Sequence, residues 1–161
     1  MEKKLNDLLI NNSLTISVAE SCTGGLIGHL ITSIPGSSAY FMGGIISYSN
    51  QAKRDLLGVS PDTLEQFGAV SEQTAKEMAM GVKERFKSDV GLSVTGIAGP
   101  DGGSIEKPVG TVYMGVSIDM ENFSIKYLFK GSRAEIKQQT AETALENIQR
   151  YLNGDSFIPG V

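Results

Sequence analysis

"LTISVAESCTGGLIGHLITSI", residues 14–34, decides the fold. Its opening, "LTISVA", is apolar and β-branched, which reads as a buried strand. "SCTGG" follows as a turn of small residues. "LIGHLITSI" then reads as a helix, stopped by Pro35 and Gly36. A buried strand that passes through a tight turn into a helix is the first unit of a sheet covered by helices.

The alternation continues outward from there. Residues 3–11 predict a short helix with Leu5, Leu8 and Leu9 on one side. "GGIISYS", 43–49, predicts a second strand, and Asn50 is expected to cap a helix through Leu57 that ends at Gly58. Ser60-Pro61 marks another helix start. Ser71 opens a longer helix to about Phe86, whose apolar face is Ala75, Met78, Ala79, Val82 and Phe86. "DVGLSVTG", 89–96, is a third strand. "VGTVYMGVSI" and "FSIKYLF" form an antiparallel hairpin around "DMEN". Arg133 to Leu152 is the last helix, with Ile136, Ala141, Ala144, Leu145 and Ile148 inward. The expected fold is an α/β domain over residues 1–161. It has three α/β/α layers and a mixed sheet that includes an antiparallel hairpin near the C-terminus, with a loose tail at 153–161.

Composition narrows the function. The 161 residues carry a net charge of −4, and no Lys/Arg cluster of the kind that neutralises phosphates is present, so no nucleic-acid partner is expected. No apolar run reaches the roughly 18 residues that span a bilayer, so no membrane partner is expected either. One cysteine cannot form an internal disulfide, and a reducing cytoplasm is the expectation. One Cys and one His cannot build a zinc cage. A Cys22–His29 hydrolase pair is unfavourable as well, since the two lie about two helical turns, roughly 10 Å, apart.

Three stretches carry candidate chemistry. In "AESCTGG", 19–25, the helix start offers free amides and a favourable dipole for an anion, or else a turn capped by Ser21 or Thr23; both readings stay open. In "SSAYFMGGIISYSNQAK", 37–53, Lys53 falls in the first turn of a helix, where the dipole and burial both favour a neutral amine. A neutral lysine is a competent general base for a serine nucleophile. Ser38 and Tyr48 are the candidates to join it. The plainer alternative is a solvated lysine, turn-capping serines and a core tyrosine. In "VTGIAGPDGGSIEKPVG", 94–110, a glycine- and proline-rich loop offers amides to an oxyanion or a phosphate, without matching either nucleotide-binding glycine motif.

Taken together, "AESCTGG", "PGSSAYFMGGIISYSNQAK", "GAVSEQTA", "TGIAGPDGGSIEKPVGTVY" and "GSRAEIKQQTAETAL" resemble the CinA C-terminal domain family, in order, from about residue 5 to 152. Characterised members of that family are nicotinamide-nucleotide amidases. The resemblance implies hydrolysis of nicotinamide mononucleotide to nicotinate mononucleotide and ammonia, a step of pyridine-nucleotide salvage, without metal or organic cofactor. It implies Ser38, Tyr48 and Lys53 as the catalytic serine, tyrosine and lysine. Ser21, Thr23, Gly24, Thr95, Gly96 and Arg133 are implied as substrate-binding residues. It further implies a homo-oligomer; many relatives carry an additional N-terminal domain that this chain is expected to lack, so a stand-alone amidase domain is the expectation. The family's usual "GDR" is "GSR" here, with Ser132 in place of Asp. The alternatives are a non-catalytic nucleotide- or protein-binding module, or an amidase for another carboxamide.

Overall fold

The structure, a computed structural model, describes residues 2–161, with side chains described from residue 4 onward. Its elements are α1 (Glu2–Asn11), β1 (Ile16–Glu20), α2 (Leu26–Thr32), β2 (Phe41–Ile46), α3 (Asn50–Leu57), α4 (Pro61–Phe67), α5 (Glu72–Phe86), β3 (Val90–Gly96), β4 (Thr111–Ile118), β5 (Glu121–Leu128) and α6 (Arg133–Leu152). The strands form one mixed sheet in the order β2-β1-β3-β4-β5. β1 pairs in parallel with β2 and with β3, while β3, β4 and β5 are antiparallel.

Each face of the sheet holds its own core. On one side α1, α2 and α6 bury Leu5, Leu9, Ile27, Ile31, Ala144, Leu145 and Ile148 against Val18, Leu92, Val94 and Met114. On the other, α3, α4 and α5 bury Leu57, Met78 and Val82 with Ala19 and Val59. This is the expected three-layer α/β/α arrangement, and β1 is buried along its whole length because both faces are covered.

Capping explains most of the boundaries. Ser60, Ser71 and Ser132 accept amide hydrogen bonds at the starts of α4, α5 and α6. Ser132 completes a capping box with Glu135, which gives the Ser of "GSR" a structural role. The cap of α3 is Ser49 rather than Asn50. Residues 153–161 are not loose. Arg150 donates to the Ser156 carbonyl at 2.6 Å, Tyr127 to the Ile158 carbonyl at 2.8 Å, and Val161 N–H to the Lys126 carbonyl at 2.9 Å. Phe157 also packs on Phe123 and Tyr151.

The connections determine where a ligand can sit. From β1 the chain crosses to β2 on one side, then returns through α3, α4 and α5 to β3 on the other. The crevice at the carboxyl ends of β1, β2 and β3 lies where that order reverses, the usual ligand site of such sheets. α5 lies flat beneath it because β3 and β4 carry glycines where it crosses. A Cβ on Gly115 would stand 2.2 Å from the Ala75 carbonyl oxygen, and one on Gly91 would stand 2.1 Å from that of Ala79. Gly115→Ala is therefore expected to lower stability by about 1–3 kcal/mol through overpacking, read as a lower urea midpoint at unchanged slope.

Candidate active site

At the carboxyl ends of the three parallel strands lies a cleft of about 270 Å³, lined by Ser21, Cys22, Tyr48, Lys53, Ala69, Val70, Thr95, Gly96, Ala98 and Arg133. Ser21 follows β1, Tyr48 follows β2, Lys53 stands in the first turn of α3, and Thr95 and Gly96 end β3. The residues come from distant parts of the chain, and the sheet gathers them.

Lys53 is the centre. Its side chain is 1% exposed, and its Nζ lies 2.7 Å from the Ser47 carbonyl, 2.9 Å from Ser21 Oγ and 3.4 Å from the Tyr48 carbonyl. No carboxylate is among these partners. Burial is the dominant influence and lowers the lysine from 10.5 to about 8, while the neighbouring Cys22 acts in the opposite direction. The folded protein thus binds this proton more weakly than the unfolded chain. The group adds stability as pH rises from about 8 toward 10.5.

Partner chemistry settles what happens when the proton leaves. Carbonyl oxygens only accept, so the two remaining N–H groups stay with Ser47 and Tyr48. The hydroxyl of Ser21 is the one partner that can reverse direction and donate to the amine lone pair. Deprotonated Lys53 is therefore aimed at Ser21 Oγ.

The turn that carries Ser21 is fixed by the residue before it. Glu20 is 2% exposed and points back into the start of α2. Its carboxylate accepts from the amides of Gly25 (3.1 Å), Ile27 (3.1 Å) and Gly28 (2.8 Å) and from the Thr23 hydroxyl (2.5 Å). Neither Ser21 nor Thr23 caps the helix, and the amides that the sequence offered to an anion already hold one. Ser21 N–H donates to the Val94 carbonyl at 3.1 Å, tying the turn to β3.

Ser38 lies elsewhere. It is exposed in a 3₁₀ turn, Ser37–Ala39, that precedes β2, whereas Lys53 follows the far end of β2. The six residues of β2 separate the two ends by about 20 Å. The structure brings Ser21, not Ser38, to Lys53. Tyr48 is in the cleft, 64% exposed, but its hydroxyl meets Arg133 Nη2 at 3.3 Å and not the lysine. Arg133 is oriented without the Asp that Ser132 replaces, since its Nη1 donates to the Gly99 carbonyl at 2.8 Å. Thr95 donates its hydroxyl to the Ala69 carbonyl at 2.7 Å, and Gly96 has no room for a Cβ beside Val112. Gly24 stands in the turn with φ +61. Cys22 is buried and pushed up to about 12, chiefly by desolvation, which makes it a poor nucleophile. Glu20, which holds this turn, is not singled out by the sequence pattern; an acid at the end of an apolar strand, three residues before a Thr and followed by two glycines, is the available signal.

The comparisons with known proteins agree with this architecture. The family model of the CinA C-terminal domain matches residues 1–152. The chain belongs to the CinA C-terminal domain family. It is 53% identical over 157 residues to a CinA-like protein of Chlorobium limicola, covering 94% of this chain but 37% of that protein. The chain thus spans little more than a third of the curated relatives it matches. Among solved structures it is similar to the competence/damage inducible protein CihA of Agrobacterium tumefaciens, with TM-score 0.85 and 43% identity over 94% of both chains. A CinA superfamily protein of Klebsiella pneumoniae superposes with TM-score 0.92 at 27% identity, over 95% of this chain and 96% of that one. No helix among the described residues is long and apolar enough to cross a membrane.

Because Glu20 satisfies three amides and a hydroxyl at once, Glu20→Ala is expected to lower stability by at least about 2 kcal/mol. Chemical denaturation checks this.

Proposed function

We propose that this domain hydrolyses the carboxamide of nicotinamide mononucleotide, with Ser21 as nucleophile and Lys53 as general base. The observation that carries the reading is the 2.9 Å approach of a buried, carboxylate-free lysine to a serine hydroxyl at the floor of the cleft. The substrate class is the one that the resemblance to the CinA C-terminal domain family implies. Ser38, which the resemblance pointed to, is left without a base.

In the first half-reaction Ser21 Oγ attacks the carboxamide carbon and Lys53 Nζ takes its proton. The tetrahedral oxyanion needs donors. Ser21 N–H is committed to the Val94 carbonyl, so the oxyanion donor is another group that lines the cleft. Lys53 then returns the proton to the leaving nitrogen, the C–N bond breaks, and ammonia departs from an acyl ester on Ser21. Water attacks that ester, Lys53 accepts the water's proton, and Ser21 Oγ leaves and is reprotonated. The products are the nicotinate nucleotide and ammonia, with the enzyme restored.

The pyridinium ring of the substrate has a counterpart in Tyr48. An exposed aromatic face at the cleft mouth attracts a cationic ring, by an amount on the order of 1 kcal/mol. The ring cation also opposes protonation of Lys53 once bound, which drives the base toward its active form.

Ser21→Ala is expected to abolish ammonia release from nicotinamide mononucleotide, at least about 10³-fold, while Ser38→Ala retains activity near wild type. Loss in Ser38→Ala with retention in Ser21→Ala contradicts the assignment. Absence of turnover in wild type favours a binding module or another amide substrate. The pH profile supplies a second test. Because the base works deprotonated, kcat/KM should rise with unit slope below about 8 and level off above it. The midpoint for kcat should lie lower, since the bound cation depresses the lysine further. A profile that falls with pH across this range contradicts a lysine base.

A further inference from the structure

Two cations stand beside the cleft with no acid to answer them. Arg133 is the first residue of α6, and Lys137 lies one turn on, along the same face. Both positions are adverse for stability. The first turn of a helix is its positive end, and like charges at i and i+4 repel. Neither residue forms an ion pair with a carboxylate among the described residues. A fold that carries one cation at the positive end of a helix and a second, like-charged, one turn on has placed them where an anion is absent among the described residues of its own chain.

The surroundings favour a ligand anion. Arg133 is held by the Gly99 carbonyl and the Tyr48 hydroxyl, so its guanidinium has a fixed direction. Half-buried Lys137 overhangs the turn after Ser21, and a Cβ on Gly24 would lie 3.9 Å from its Nζ. With Leu26, Ala134 and Gln138 the two cations line a depression of about 460 Å³, and Arg133 also lines the cleft of Ser21 and Lys53. The depression and the cleft therefore share a wall. The helix starts beside the depression, those of α2 and α6, are closed to an anion. Glu20 fills the start of α2, and the capping box of Ser132 and Glu135 fills the start of α6. Side-chain cations are what remains.

We infer that Lys137, together with Arg133, forms the subsite that takes the phosphate monoester of the substrate, reached across the bare backbone of Gly24. This deepens the amidase reading and rests on it. The carboxamide sits at Ser21 and Lys53, the ribose passes Tyr48 and Arg133, and the phosphate ends over α6. A phosphate with nearly two negative charges relieves both adverse placements at once. Arg133 supplies direction, and Lys137 supplies a compact charge on a flexible stem.

Two measurements test it together. The first is binding of ribose 5-phosphate to wild type and to Lys137→Gln by titration calorimetry, which needs no turnover. The second is the ratio of kcat/KM for nicotinamide mononucleotide over that for the dephosphorylated nucleoside. Lys137→Gln is expected to weaken ribose 5-phosphate by roughly tenfold or more and to lower the ratio by a similar factor, with the loss in KM. Lys137→Arg should recover part of both. Unchanged ribose 5-phosphate affinity and an unchanged ratio in Lys137→Gln overturn the subsite while leaving the amidase reading standing. Lys137-dependent binding of ribose 5-phosphate in a wild type that releases no ammonia does the opposite: it supports the subsite and overturns the amidase.

Discussion

The burial of Lys53 against Ser21 is the constraint on which the site depends. A lysine amine placed in a largely dry position without a carboxylate is unfavourable as a cation, and that penalty is what brings it to about 8. Three strand ends must meet for this to happen. β1 delivers Ser21, β2 delivers the carbonyls of Ser47 and Tyr48, and β3 closes the floor through Val94, Thr95 and Gly96. The parallel pairing of β1 with both neighbours is what puts these ends on one side of the sheet. Stability is given up locally, and the two packed cores supply it elsewhere.

Glu20 is the second fixed point. It removes the flexibility expected of a turn with two successive glycines, because one carboxylate holds three amides and the Thr23 hydroxyl. Ser21 is thereby presented by a rigid support on the same side of the sheet as its base, the preorganisation that nucleophilic catalysis requires. Occupying the helix start also redistributes roles. The helix dipole of α2 is spent on holding the turn, so the proposed recognition of substrate charge rests on side chains of α6.

Much of the fold was legible in the sequence because periodicity and caps report on local structure. The apolar face of α5 and that of α6 were readable from spacing alone, and the β4–β5 hairpin from two strand-like runs joined by a short polar turn. The place of Lys53, buried in the first turn of a helix, was legible from the sequence. Its partner was not. Ser38 is nearer in sequence and shares the Lys53 segment, but a strand intervenes, and an extended strand carries its two ends apart. Ser21 is 32 residues away in sequence and 2.9 Å away in space, a relation set by parallel pairing and invisible to local pattern. The tail misled for a similar reason. "NGDSFIPGV" looks like a frayed end until β5 and α6 offer Lys126, Tyr127, Asn147 and Phe123 as partners.

The most direct test of the account is to quench wild-type protein during turnover of nicotinamide mononucleotide at low pH and map the acylated peptide by mass spectrometry. The account predicts the nicotinate-nucleotide acyl mass as an ester on Ser21. The same mass on Ser38, or on any residue outside the 19–25 turn, contradicts it.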